Sequence, residues 1–232
     1  MTDGVIRIKC NKHETIEVYP GDVVAITGEN GAGKSSFAGF LAGFNGHNNT
    51  DHFRSQLDIS YNGADINNIS DYHRVCSLVL QIPQDGLLFS YLEKDISFGF
   101  KNLGISEEEK TLRYDAMKRF DIDDYIYTKK YSTMCGGELE KAAFLSIYSQ
   151  NPRILILDEA FNMLGVEGKL LYKKLIDIYR KDKRILFIVT HDKAVTKMCD
   201  YALKLDRSKG NMVRITKQGK EEALLNTRSS ED

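Results

Sequence analysis

Uninterrupted apolar runs alternate with helical patterns along most of the chain. Residues 23–26, 154–157 and 185–189 are apolar throughout, which is typical of strands covered on both faces. Helices are predicted where apolar positions recur every three or four residues, namely in residues 34–41, 137–149, 167–180 and 193–199. This alternation of buried strands and helices predicts an α/β fold with a mainly parallel sheet.

The beginning of the chain has a different pattern. Residues 5–9, 15–19 and 57–61 alternate apolar with polar side chains, which predicts half-exposed antiparallel strands. Asn62 and Gly63 then form a typical two-residue hairpin turn. An antiparallel β subdomain is therefore expected to precede or flank the parallel sheet.

A helical insertion is predicted within the sheet domain. Residues 87–151 show no strand pattern and are rich in charge, and Ser106 with Glu109 has the spacing of a helix capping box. We therefore expect one domain over residues 1–232. Its α/β core would comprise residues 1–86 and 152–232, and the helical insertion residues 87–151.

Composition narrows the functional classes. The 232 residues are 42% hydrophobic and carry 32 basic against 33 acidic side chains, so the net charge is −1. A chain of this length can bury a substantial core, and its balanced charge argues against nucleic acid as the main partner. With no signal peptide pattern and no long apolar stretch, the sequence predicts a soluble cytosolic protein. The cysteines, expected to be reduced thiols, are Cys10, Cys76, Cys135 and Cys199.

A phosphate-binding loop is the strongest chemical signal. A predicted strand runs directly into residues 28–35, which match G-x-x-x-x-G-K-[ST], and a predicted helix follows. Glycines let successive backbone N–H groups surround one anion, while Lys34 would reach the terminal phosphates and Ser35 would offer a hydroxyl to Mg²⁺. A glycine-rich turn that only caps a helix is the alternative, and the flanking strand and helix disfavour it.

Polar side chains follow three further predicted strands. Asp158 and Glu159 end one strand, and such a site needs an acid at the end of a neighbouring strand to hold Mg²⁺ and a carboxylate to polarise water. Gln81 and His191 end two others. Isolated residues of this kind are more often caps or surface groups. Their common position at carboxyl strand ends, where ligands bind in open α/β sheets, favours one shared site.

These residues, in this order, resemble the motifs of the nucleotide-binding subunits of ABC transporters along nearly the whole chain. The stretch from residue 81 to residue 109 is especially similar to the ATPases of energy-coupling-factor and cobalt-type importers. The resemblance implies a RecA-like P-loop NTPase fold, a head-to-tail dimer with ATP sandwiched between subunits, and Mg²⁺ as cofactor. It also implies a membrane transporter partner bound through residues 81–92, and a location on the inner face of the cell membrane.

The resemblance also assigns roles by position. Catalytic roles fall to Glu159, His191 and Gln81, and Mg²⁺ would be held by Ser35, Gln81 and Asp158. The nucleotide-binding residues would be Gly28, Glu29, Asn30, Gly31, Ala32, Gly33, Lys34, Ser35 and Ser36, with Cys135, Gly136, Gly137 and Glu138 acting on the nucleotide of the other subunit. Residues 134–138 are called the signature segment below.

The departures from the family pattern concern mainly the surface presented to the second subunit. Cys135 replaces a serine, Glu138 a glutamine and Gly165 an aspartate. A thiol is a weak donor and Glu138 adds negative charge near phosphates, which predicts a weakened signature. His13 is the one candidate in its loop for stacking on adenine, with Tyr19 nearby.

Three functions remain open at this level. The first hypothesis is an ATPase subunit of a membrane transporter that works as a homodimer or a heterodimer. The heterodimer is favoured because the residues for the chain's own nucleotide are intact and those for the partner's nucleotide are altered. A soluble nucleotide-gated clamp with little turnover is the second hypothesis. A small-molecule P-loop kinase is the third, and it would leave the signature segment and His191 unexplained.

Overall fold

The computed structural model describes residues 4–11, 14–44, 53, 57–206 and 212–217. The strands are β1 (Ile6–Asn11), β2 (Glu14–Val18), β3 (Val23–Gly28), β4 (Asp58–Tyr61), β5 (Ala64–Asp65), β6 (Cys76–Val79), β7 (Ile154–Asp158), β8 (Ile185–Val189), β9 (Tyr201–Asp206) and β10 (Met212–Lys217). The helices are α1 (Lys34–Leu41), α2 (Leu92–Leu103), α3 (Glu107–Lys118), α4 (Tyr125–Thr128), α5 (Gly136–Tyr148), α6 (Val166–Lys181) and α7 (Lys193–Thr196).

The larger sheet has the order β10-β9-β3-β8-β7-β6, and β9, β3, β8, β7 and β6 run parallel. Successive side chains of its central strands enter different cores. Val24, Ile156 and Phe187 pack with α1 and the smaller sheet, whereas Ala25, Leu155 and Leu186 pack with α6 and the helices between β6 and β7. Both faces are therefore covered, which explains why the strands are uniformly apolar.

The smaller sheet is antiparallel, in the order β2-β1-β4-β5. Ile8, Ile16 and Ile59 point into the core, while Arg7 and Glu17 form an ion pair on the outer face. Asn62 and Gly63 both have positive φ in the turn between β4 and β5, as a two-residue hairpin requires. The predicted fold class, a mainly parallel sheet with an antiparallel part and helices, is confirmed.

Helices α2 to α5 lie between β6 and β7. Their aromatic core continues towards the sheet domain, since Phe144 contacts both Phe120 and Phe161 with ring centroids 4.8 and 5.1 Å apart. Boundaries for the insertion at residues 87 and 151 stay a prediction.

Three local predictions need correction. Ser106 Oγ accepts from the Glu109 N–H at 3.2 Å, but the Glu109 carboxylate pairs with Arg113 at 2.5 Å, so the reciprocal half of the capping box is replaced by an ion pair. Helix α7 ends at Thr196 instead of Cys199, because the chain turns into β9 and the Asp200 N–H donates to Val23 O at 2.8 Å. The strand that carries Asp158 is not the neighbour of β3, because β8 lies between them.

Candidate active site

The register of the parallel strands gathers the predicted polar residues at one edge of the sheet. Val79 pairs with Leu157, Asp158 with Val189, and Val189 with Ile26. The carboxyl ends of β6, β7, β8 and β3 are therefore level with one another. Gln81, Glu159, His191 and the glycine-rich loop each follow one of these strand ends. Strand order and register, which the sequence does not state, bring these four features together.

The glycine-rich loop connects β3 to α1 with a backbone that only glycine adopts without strain. Gly28, Gly31 and Gly33 have φ of 151°, 78° and 88°. A Cβ on Gly28 would lie 2.7 Å from the carbonyl oxygen of Leu205. Position 28 therefore has no room for a side chain, and its positive φ also favours glycine. Gly33 caps α1, whose first turn presents backbone N–H groups that lack intrahelical partners.

Lys34 is buried at the mouth of this loop. Its Nζ donates to Gly28 O at 3.2 Å and to Glu29 O at 3.0 Å, and only 7% of the residue is exposed. The ammonium is therefore held over the loop by the loop's own carbonyl groups. A positive charge fixed beside helix N–H groups is suited to bind phosphate.

Asp158 is the buried acid of the site. Burial raises the pKa of Asp158, and a hydrogen bond with the Ser35 side chain opposes that rise. Its Oδ1 is buried with no hydrogen-bond partner, a costly state for an ionised carboxylate. A carboxylate oxygen without a partner, beside a serine hydroxyl, fits a divalent cation at this position.

Glu159 meets two of the predicted catalytic side chains. Gln81 Nε2 donates to Glu159 Oε2 at 3.2 Å, and His191 Nδ1 lies 3.6 Å from Glu159 Oε1. The backbone of Glu159 has φ of 48°, a conformation rare for residues other than glycine and often found at functional sites. Asn162, which sequence reasoning missed, donates to the same carboxylate at 3.4 Å.

The signature segment differs from expectation at Glu138. Its carboxylate accepts from Lys129 Nζ at 2.7 Å, from Tyr125 Oη at 2.7 Å and from the backbone N–H of Cys135 at 2.8 Å. These partners, Lys129 first, lower the pKa of Glu138 to about 2. The negative charge that Glu138 adds is therefore paired with Lys129, and the weakening of the signature stays a prediction.

The loop after β7 covers the two signature glycines. A Cβ on Gly136 would lie 2.2 Å from Met163 Sδ, and one on Gly137 would lie 2.6 Å from Leu164 Cδ2. Glu140, which is buried, accepts from the Met163 N–H at 3.1 Å, and burial raises its pKa. Nothing in the sequence around Glu140 distinguished it from a solvated helix residue.

Exposed apolar side chains follow Gln81 along the chain. Ile82, Leu88 and Phe89 are exposed together with Phe98, and the rings of Phe89 and Phe98 pack edge to face at 5.4 Å. Leu92, by contrast, is fully buried. Leu92 thus packs into the core between the helices and the larger sheet, whereas Ile82, Leu88 and Phe89 face outwards.

Of the two residues considered for contact with adenine, the structure describes only Tyr19. His13 lies outside the described residues. The Tyr19 hydroxyl donates to the Glu17 carboxylate, which raises the pKa of Tyr19. The aromatic contact to a base therefore stays a prediction on His13.

Comparison with known proteins decides the family. A family model described as ABC transporter matches residues 12–162, more than half of the chain. The chain belongs to the ABC transporter family. The match shows an ABC ATPase domain, so the chain binds ATP.

Relatives within the ABC family point to one branch. The chain is 31% identical to the energy-coupling factor transporter ATP-binding protein EcfA1 of Latilactobacillus sakei over 83% of this chain and 68% of that protein. It is 30% identical to EcfA1 of Ligilactobacillus salivarius over 92% and 73%. Among solved structures, cbiO1 of Clostridium perfringens, part of the ABC transporter complex cbiONQ, has a TM-score of 0.73 at 22% identity, covering 91% and 87%.

The fold comparison confirms the ABC ATPase architecture, and the individual residue roles stay predictions. No helix in the described part of the chain combines the length and the apolar character needed to cross a bilayer.

Proposed function

We propose that the chain is the ATP-hydrolysing subunit of an energy-coupling-factor-like importer of a vitamin or metal ion, paired with a second ATPase subunit. The observation that carries the proposal is the contact of Gln81 and His191 with Glu159 beside the Lys34 loop. The curated relatives are named as transporter ATP-binding proteins, which favours this function over a soluble clamp.

Nucleotide binding is assigned to the loop and its lysine. The phosphates of ATP would take the place of the Gly28 and Glu29 carbonyl groups as partners of Lys34, and the N–H groups of residues 29–36 would surround them. Gly28 has no space for a side chain beside Leu205, so glycine lets the start of the loop pack directly against β9.

Mg²⁺ fits the residues below the loop. Ser35, Gln81 and Asp158 would hold it, and the unpartnered Oδ1 of Asp158 would gain the partner that burial denies it. Bound Mg²⁺ supplies charge neutralisation at the β- and γ-phosphates.

Hydrolysis is assigned to Glu159. Its carboxylate would orient a water or take its proton as that water attacks the γ-phosphate, while Gln81 and Asn162 fix the carboxylate through hydrogen bonds. His191, whose side chain is 65% exposed, would turn towards the γ-phosphate and stabilise its charge. Positioning and charge stabilisation account for most catalysis of phosphoryl transfer.

The second subunit is proposed to be a different chain. This chain's own nucleotide site has its expected residues, whereas the surface offered across the dimer has Cys135 for serine and Gly165 for aspartate. Its own ATP would then meet an intact signature from the partner and be hydrolysed. The partner's ATP would meet this altered signature and turn over slowly.

The heterodimer is tested by ATPase activity and sedimentation of the pure chain. We expect a monomer that binds ATP and hydrolyses it slowly at all protein concentrations, because no intact signature is available. A concentration-dependent homodimer with full activity, abolished by Glu159→Gln, would contradict the pairing and leave the ATPase assignment intact.

The membrane partner is proposed to dock on residues 81–92. Ile82 directly follows Gln81 in the chain, and its side chain is exposed together with those of Leu88 and Phe89. A segment docked on these residues would therefore lie beside the residue whose side chain contacts Glu159. Attachment through that protein would place the chain on the inner face of the cell membrane.

A further inference from the structure

Lys129 and Glu138 form an ion pair at the start of helix α5. Both carboxylate oxygens of Glu138 lie 2.7 Å from Lys129 Nζ, and the side chains are only 30% and 14% exposed. Tyr125 donates a third hydrogen bond at 2.7 Å. This pairing joins the helical segment α4 and its following turn to the segment that carries Cys135.

The same carboxylate also caps the helix. Glu138 Oε2 accepts from the Cys135 N–H at 2.8 Å, which fixes the residue that precedes Gly136 and Gly137. An acidic side chain in the first turn stabilises a helix N-terminus. If Glu138 had no positively charged partner, its carboxylate would repel a second anion that approaches the same N–H groups.

We propose that Lys129 is a positioning residue of the signature segment. It holds Glu138 as the cap of Cys135 and cancels a charge that would otherwise repel the phosphates of a nucleotide bound to the second subunit. This inference rests on the proposed function, because it assumes that the segment faces such a nucleotide. It explains how the chain tolerates Glu138 there.

The first test uses the full chain alone and follows the Glu138 carboxyl carbon by NMR during acid titration. The groups that face Glu138 are Lys129, Tyr125 and the Cys135 N–H, and Asp123 acts on Tyr125. A lowered pKa means that the stabilisation is present above the ordinary value of 4.5 and is lost as pH falls through about 2.

Lys129→Met should raise the midpoint by one pH unit or more, whereas Lys118→Met, which removes an exposed ion pair with Asp115, should not. An unchanged midpoint in Lys129→Met would overturn the pairing.

The second test measures ATP turnover of the two-subunit complex purified from membranes, in a Glu159→Gln background. That background silences the nucleotide held by this chain, so the remaining turnover reports the nucleotide that this chain's signature segment faces. Lys129→Met should lower it about fivefold or more, a loss expected for a charged hydrogen bond that is partly screened by solvent. Adding Glu138→Gln should reduce the effect of Lys129→Met to less than about twofold, because no charge then needs cancelling.

The coupling between the two sites separates this role from a structural one. If Lys129→Met lowers turnover equally with Glu138 and with Gln at position 138, the charge-cancelling role is wrong. A complex with Glu159 intact that hydrolyses no ATP would instead refute the proposed function, and the NMR titration would still report on the pair.

Discussion

Replacing Glu159 with glutamine should abolish most ATP turnover while leaving ATP binding in place. The amide keeps the size of the carboxylate and its contacts with Gln81 and Asn162, but it cannot accept a proton from water. Loss of a general base costs about 10²-fold or more in rate. The measurement compares steady-state hydrolysis by the complex purified from membranes with binding of a fluorescent ATP analogue to the chain.

The control for this change is Glu107→Gln, an equivalent substitution at an exposed glutamate whose partner is Lys110. It should leave both quantities unchanged. If Glu159→Gln hydrolyses ATP within about twofold of the unaltered complex, Glu159 is not the base, and the contacts with Gln81 and His191 need another explanation.

Replacing Lys34 with alanine should remove ATP binding. The ammonium is the buried positive charge that donates to the carbonyl groups of the phosphate-binding loop. Losing charge-assisted hydrogen bonds to phosphate in a partly buried site should weaken binding about 100-fold or more. Equilibrium titration with the fluorescent analogue measures this directly.

Lys118→Ala is the matched control, because it removes a lysine from an exposed ion pair in α3. A thermal melt of each variant separates loss of binding from loss of folding. Equal ATP affinity in the unaltered chain and a folded Lys34→Ala variant would refute the assignment of the loop.

The geometry of the glycine-rich loop was predictable because its requirements are local. Glycines with positive φ follow one another within residues 28–35, directly before the lysine and serine that begin α1. The buried strands β3, β7 and β8 were predictable for a similar reason, since coverage on both faces imposes uniform apolarity. Strands β9 and β10 were missed although Leu203 and Leu205 show the alternation of a strand.

Contacts between distant segments were not predictable. Gln81 reaches Glu159 only because β6 and β7 are neighbours in the sheet. Lys129 compensates Glu138 across a turn whose geometry no periodicity describes. The pairing of Glu138 was missed for this reason, because a comparison of single residues omits the partner that folding supplies.

The central claim is that this chain drives a membrane transporter, and capture of the tagged chain from gently solubilised membranes tests it most directly. Leu88→Asp and Leu112→Asp provide a matched pair, because the two leucines are 69% and 68% exposed and only Leu88 lies within residues 81–92. We expect the unaltered chain and Leu112→Asp each to recover an integral membrane protein and a second ATPase subunit, and we expect Leu88→Asp to lose the membrane protein. Recovery of the unaltered chain from the soluble fraction alone, with no membrane protein, would contradict it.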